Sequence, residues 1–315
     1  MQKLSGTFIA LTLAGVILLF ISGCGKQENA EKNADGKDYI NVVATTGMIG
    51  DAVRTIAGDK VKLYTMMGPG VDPHLYKATK EDIDQLDAAD IVFYNGLHLE
   101  AKLAEILEKM GRTKTVVAIG EAIPDSLRRY PNGSGGQPDP HIWFDFSLWE
   151  KAVDTLGFTL GMKIPEYKQE FDNNTRLYCD ELLAEHERIK AQIAEIPKER
   201  RVLITAHDAF GYFGRAYDIE VEGLQGISTV AEAGLHDVTK LVDYIAERKI
   251  KAVFVESSVS PKAIEAVVEG CHSQGHQVVI GGTLYSDALG AADTPEATLI
   301  GVMRHNVEAI VNALK

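Results

Sequence analysis

Between Pro165 and Pro197 the chain reads PEYKQEFDNNTRLYCDELLAEHERIKAQIAEIP, with apolar residues at roughly 3.6 spacing (Phe171, Leu177, Leu182, Leu183, Ile189, Ile193) and a proline at each end. Proline suits a first helical turn, where its missing N–H is not needed, and it stops a helix that runs into it. The pattern predicts one helix of about 30 residues, roughly 45 Å long at 1.5 Å per residue. Such an element divides the chain, and each side has to fold against it.

Both sides show the same alternation. Before the helix, short apolar runs at Tyr39 to Ala44, Val61 to Met66, Ala89 to Gly96 and Thr115 to Gly120 are separated by amphipathic segments. After it come RVLITAH, a run at Glu220 to Leu224, AVFVESS and HQVVIGG. Strands that alternate with helices imply mainly parallel sheets flanked by helices. The expected fold is therefore α/β in two lobes, residues 39–164 and 198–315, joined by a long backbone helix over 165–197. Trp143 and Trp149 read as core or lobe-interface packing.

The N-terminus stands apart. Lys3 precedes the apolar run FIALTLAGVILLFISGC, which has the form of a secretory signal. Its last residues, Ile21-Ser22-Gly23-Cys24, resemble the bacterial lipoprotein signal, which is cut before a cysteine that is then lipidated. That implies a signal peptide over 1–23, lipidation at Cys24, and an extracytoplasmic chain anchored to the cell membrane. The other reading is an uncleaved anchor, since the run approaches the roughly 18 to 20 apolar residues that span a bilayer. Residues 24–38 are polar, without aromatic or β-branched side chains, and read as a flexible leash.

Removing residues 1–23, whose only charged side chain is Lys3, takes the formal charge from −13 to −14. Such acidity disfavours nucleic acid as a partner and suits a soluble or cation-handling protein. Beyond Cys24 only Cys179 and Cys271 remain, so there is no disulfide framework and no zinc–cysteine spacing. One bridge between those two stays open.

Chemistry rests on the nine histidines. His74 follows the turn MGPGVDP and precedes TKED, a capping-box-like helix start. His141 repeats the Asp-Pro-His arrangement after PNGSGGQP, and in both copies proline fixes φ and stiffens the loop. His207 ends the run RVLITAH, at the carboxyl end of a strand, where ligands of α/β folds bind. Each of these taken alone is also explained as a loop or capping residue. Asp287, in the loop after HQVVIGG, occupies the matching place in the second half, so four N/O donors, two per lobe, point to one cleft. Imidazole and carboxylate suit zinc, manganese or iron, and the absence of thiolate argues against copper(I).

The other histidines have simpler readings. His98 and Glu100, in YNGLHLE, form a possible ligand pair but are better explained by a helix start. His272 and His276 fall in a surface turn. His186 is expected on the polar side of the long helix, and His236 and His305 have no cluster around them.

Together the motifs GPGVDPHLYKAT, DIVFYNGLHLE, DPHIWFD, TAHDAFGYF, TVAEAGLHDV, VFVESSVS and GGTLYSDALG resemble the metal-binding solute-binding proteins of manganese, zinc and iron ABC importers, the cluster A-I (cluster nine) family. The resemblance runs from about Tyr39 to Lys315. It implies one metal ion between the lobes, with His74, His141, His207 and Asp287 as ligands. It also implies delivery of that ion by a monomer to a membrane permease driven by a cytoplasmic ATPase. Manganese-directed members often carry glutamate where this chain has His207, which keeps zinc in contention. Zinc-dedicated members commonly carry a histidine-rich loop before the second ligand, whereas Leu127 to Gln137 here contains no histidine, which favours manganese or mixed use.

Two other functions fit less of the sequence. A zinc-dependent hydrolase needs an open metal position and a general base, yet the chain has neither HExxH nor GxSxG, and only Glu256 and Asp208 lie near the donors. A surface adhesin lipoprotein would need a binding module that is not seen. The expected protein is thus no enzyme. Its metal affinity is expected to fall as pH drops toward the ordinary histidine pKa near 6.5.

Overall fold

The structure is a computed structural model that describes residues 39–315. The expected signal, Cys24 and the leash lie outside the described residues. No helix among the described residues is long and apolar enough to cross a membrane.

In chain order the first half runs β1 (Ile40–Ala44), α1 (Gly47–Ala57), β2 (Val61–Thr65), α2 (Lys80–Ala88), β3 (Ile91–Tyr94), α3 (Ala104–Met110), β4 (Thr115–Ala118) and α4 (Phe146–Lys163). Its sheet has the order β2-β1-β3-β4, with every pairing parallel. Val42, Val43 and Ala44 are all buried, as expected of a strand covered on both faces. Thr79 caps α2 with a full capping box: its hydroxyl accepts Asp82 N–H at 3.1 Å, and Asp82 Oδ2 accepts Thr79 N–H at 2.7 Å.

The long helix α5 covers Lys168–Ile193, and Pro165–Tyr167 forms a 3-10 turn ahead of it. The α-helix proper is thus 26 residues, shorter than expected, or about 39 Å. Its buried stripe also differs from the expected one. Phe171, Thr175, Tyr178, Leu182, Glu185, Ile189 and Ile193 face inward at intervals of three and four, while Leu177 and Leu183 are exposed. Hydrophobicity alone mislaid the stripe because Glu185, a buried member, is satisfied by Arg188 and by Arg304 of a later helix. Helices α4 and α5 approach closely at Gly157, where a Cβ would lie 2.1 Å from Thr175 Oγ1.

The second half continues with β5 (Val202–His207), α6 (Gly211–Tyr217), β6 (Glu220–Gln225), α7 (Leu235–Arg248), β7 (Ala252–Glu256), α8 (Lys262–Ser273), β8 (Val279–Leu284) and α9 (Leu299–Leu314). Strands β5 and β6 pair in parallel, as do β7 and β8. The expected strands are all present with ends moved by one to a few residues, and the architecture is the expected α/β one around a long helix.

The main core does not stop at the midpoint of the chain. One cluster of buried side chains includes Val42, Trp149, Phe171, Leu182, Ile193, Phe210 and Ile310, drawn from both halves and from α5 between them. Asp51 of α1 reinforces it by accepting hydrogen bonds from Leu299 N (2.9 Å), at the start of α9, and from Tyr178 Oη (3.4 Å) of α5. Trp143 and Trp149 are buried. Cys179 and Cys271 are both buried and free, so the bridge left open by the sequence is not formed.

Candidate metal centre

The two Asp-Pro-His segments fold alike for a reason that proline explains only in part. In each, the aspartate turns back on its own backbone: Asp72 Oδ1 accepts His74 N–H at 2.8 Å, and Asp139 Oδ1 accepts His141 N–H at 2.9 Å. This is an Asx turn, which aspartate forms readily two residues before its donor. Proline between them fixes φ. Each histidine is therefore held by a local hydrogen bond and a rigid ring.

The remaining carboxylate oxygens then diverge. Asp139 Oδ1 also lies 2.8 Å from His141 Nδ1, while its Oδ2 pairs with Arg129. The Arg129 guanidinium occupies the space beside Gly211, where a Cβ would collide with it, and stands over the Tyr212 ring. Asp72 Oδ2 instead accepts Thr229 Oγ1–H at 2.5 Å, a tie to the segment after β6.

His207 is the last residue of β5, and Glu256 is the last of β7. Glu256 Oε1 accepts His207 N–H at 2.9 Å, and Glu256 Oε2 lies 2.6 Å from His207 Nδ1, close but poorly aligned for a hydrogen bond. Asp287 follows β8 in a loop fixed by Asn306 of α9, which bonds Tyr285 N–H at 2.9 Å and Tyr285 C=O at 2.8 Å. Trp143 Nε1 donates to Ser286 O at 3.0 Å, so the loop is also held from the first half.

The result is a cluster of His74, His141, His207 and Asp287, all buried, with one donor atom from each lying within 4.8 Å of the others. His74 Nε2 and His141 Nε2 are 3.3 Å apart, His141 Nε2 and Asp287 Oδ1 3.3 Å, and His207 Nε2 and Asp287 Oδ2 3.2 Å. A tetrahedron with bonds of about 2.0–2.1 Å has edges of about 3.3–3.4 Å, so these spacings suit a zinc-sized ion at the centre. Neither Asp287 oxygen has a well-formed hydrogen bond. A buried carboxylate without donors is costly unless a cation faces it. Because its oxygens face different histidines, Asp287 has one or two bonds to offer.

Electrostatics divides the three imidazoles. Burial pushes His74 down to about 3, despite the Asp287 charge. Burial also works against charge on His141, but the hydrogen bond to Asp139 and the nearby Asp287 carboxylate outweigh it and carry the group up to about 9. His207 is raised likewise, the charges of Glu256 and Asp287 overcoming burial. Asp287 is held well below the usual carboxylate range because the His207 charge and the close approach of the His141 and His207 rings outweigh its burial. Without metal, the surrounding carboxylates therefore favour the protonated form of both His141 and His207. With metal, the Nδ1–H groups turned to Asp139 and Glu256 leave both Nε2 lone pairs facing the centre, an arrangement that orients and strengthens imidazole ligands.

The other candidates lie elsewhere. Glu100 is buried and accepts Thr45 Oγ1–H at 2.7 Å, Asn95 N–H at 2.8 Å and Gly96 N–H at 3.1 Å, so it braces a loop and is no partner of His98. Asp208, pushed up to about 6 chiefly by burial, stands 3.9 Å from Arg129. His272 and His276 bond backbone carbonyls of Val278 and Ile250. His186 departs from expectation: it is partly buried against Tyr217, 3.3 Å from its hydroxyl, because α6 covers that flank of α5. His305 lies 3.1 Å from Glu296 Oε1. Asp139 and Glu256 were the residues missed as supports of the site. The Asp-Pro-His pattern carried a signal for the first, since aspartate two residues before an ordered histidine favours an Asx turn, while no local pattern links Glu256 to a histidine 49 positions away.

Comparison with known proteins points the same way. The family profile for ZnuA, the periplasmic component A of a zinc-uptake complex, matches residues 42–313. The chain is 48% identical over 295 residues to the manganese-binding lipoprotein MntA of Bacillus subtilis, covering 94% of this chain and 95% of that protein. It is 46% identical over 302 residues to the zinc-binding protein TroA of Treponema pallidum, covering 95% of each. The solved structure of periplasmic TroA from Treponema pallidum matches with a TM-score of 0.85, covering 87% of this chain and 98% of that one. Fe(III)-bound YtgA from Chlamydia trachomatis matches at 28% identity and a TM-score of 0.78, covering 87% and 97%.

Proposed function

We propose that this chain, which belongs to the ZnuA family of periplasmic metal-uptake components, captures one divalent transition-metal ion, manganese or zinc, and delivers it to an ABC importer. The observation that carries this reading is the convergence of four buried donors from three loops and the end of strand β5. His74, His141 and His207 would bind through Nε2 and Asp287 through one or both oxygens. Asp139 and Glu256 would keep two of the rings in the binding tautomer.

The metal is cargo. Its capture needs no open coordination position and no general base. Glu256 is committed to His207, and Asp208 faces Arg129, so neither is placed as the base of a zinc hydrolase, and we read the chain as a carrier and no enzyme. The partners would be a membrane permease and its cytoplasmic ATPase. The chain would work as a monomer outside the cytoplasm, tethered through lipid on Cys24. Residues 39–164 and 198–315 would act as lobes, with 165–197 as their connector.

Affinity alone does not choose the metal. An N/O site binds zinc more tightly than manganese, so selection depends on coordination number and supply. The relatives named above divide in the same way, one manganese-binding and one zinc-binding by name.

The test is metal content of the chain purified from its own host under metal-replete conditions, paired with calorimetric titration of the stripped protein. One divalent ion per chain is expected. Binding that survives unimpaired in a His74→Ala, His207→Ala double variant would overturn the assignment.

A further inference from the structure

Of the four donors, His74 is the one that borders the cavity beside the first Asp-Pro-His loop. That cavity has a volume of about 590 Å³, and its walls include Leu97, His98 and Asp208. His141, His207 and Asp287 are not on those walls and are at most 2% exposed. An ion arriving by this cavity meets His74 first. At about 30 Å³ per water molecule the space holds on the order of twenty waters, enough for an ion that still carries its first hydration shell.

His98 stands on the cavity wall under unusual constraint. It is exposed, between buried Leu97 and Leu99, and its imidazole makes no hydrogen bond or ion pair with any described residue. Leu97 and His98 both have left-handed backbones, with φ of 53° and 66°. Two consecutive non-glycine residues in that region persist only where the surroundings over-determine them, and such outliers concentrate at functional sites. Here burial holds Leu97, and Glu100 clamps the turn through the Asn95 and Gly96 amides. The fold thus fixes the backbone that carries an unengaged imidazole on the wall of the cavity that His74 also lines.

We propose that His98 is a transient outer ligand, which takes the incoming hydrated divalent cation, displacing one water from it, and hands it on to His74. This rests on the reading that the four buried donors hold the metal. A ligand engaged only in passage belongs to neither end state. Its loss slows association and release by the same factor and leaves the dissociation constant unchanged. A ligand of the final site would instead change affinity, and a steering charge would change association in a salt-dependent way.

The experiment is stopped-flow kinetics on the full chain in detergent, with zinc alone as the probe. Tryptophan fluorescence supplies the signal, since the Trp143 ring lies 5.3 Å from that of His141, and a chelator jump gives release. His98→Asn tolerates the left-handed backbone but ligates poorly. It is expected to lower both rate constants together by about three- to tenfold, with the dissociation constant within about twofold of wild type. His98→Asp has the same size but a ligating carboxylate, and keeps near-wild-type rates at high salt, where steering is screened. Unchanged rates in His98→Asn, or a shifted dissociation constant, would overturn the relay while leaving the four-donor site intact. Failure of the wild-type chain to bind zinc would overturn the four-donor reading itself, and the relay with it.

Discussion

Asp72 and Thr229, 157 residues apart in sequence, share a hydrogen bond of 2.5 Å, and the other oxygen of the same carboxylate holds the backbone of His74. One side chain thus shapes a donor loop and fastens it to the other half of the chain. Thr229→Val removes the fastening and leaves the turn. A hydrogen bond to a charged group is worth about 1.5–3 kcal/mol, so metal release should quicken by about tenfold or more. Thr229→Ser should release metal near the wild-type rate. A chelator-competition assay on both variants checks this, and a valine variant that releases metal no faster would show the tie to be idle.

Asp139 and Glu256 orient His141 and His207 from behind. Asp139→Asn and Glu256→Gln should each weaken metal binding by about 10- to 100-fold, the usual cost of losing such a partner. Competition titration against a chelator of known affinity measures the loss. Affinity unchanged in both variants would mean that packing alone sets the ring orientation.

Protons and metal compete for the same nitrogens. With His141 up near about 9 and His207 raised as well, the metal-free site at neutral pH holds protons that the ion must displace, whereas His74, down near about 3, contributes none. Between one and two protons should be released per ion, and affinity should rise with pH until about 9. That window lies above the value near 6.5 expected of unperturbed histidines. Linkage has the opposite sign for the metal-free fold. A histidine raised on folding contributes stability that is present below its unfolded pKa and lost as pH climbs through its folded one. Stabilisation by added metal should therefore grow between roughly pH 6.5 and 9. Calorimetry in buffers of different ionisation enthalpy counts the protons, and melting curves with and without metal follow the second effect.

Cys179 and Cys271 are free and buried, and burial pushes the Cys179 thiol up to about 12. Neither should react with a thiol reagent at neutral pH until the chain unfolds, when both should titrate. Reductant should leave the melting temperature unmoved. A cross-linked peptide containing both residues in a non-reducing digest would contradict this.

The strands, the cap at Thr79 and the four side chains that gather into one cluster were legible because each depends on a short stretch of chain: an apolar run, a Thr-to-Asp spacing, a histidine at a strand's end. What escaped depends on contacts across the fold. Glu185 reads as a surface residue of the long helix until Arg304 arrives from α9. His186 reads as solvated until α6 covers it. Glu256 becomes a partner of His207 only when β5 and β7 bring their ends together. The doubled Asp-Pro-His is visible in the sequence, but the stiffness that proline alone would give hides the turns that Asp72 and Asp139 make.

The core that passes unbroken from β1 through α5 to α9 has a mechanical consequence. A strut packed along its length on both sides, and tied to its neighbours by Asp51 and Glu185, resists bending far more than a pair of bare strand crossovers would. That packing opposes a wide opening of the molecule about this helix. If an ion fills the cluster, the loops that carry its side chains are the parts left free to respond, and a partner would sense filling through their order.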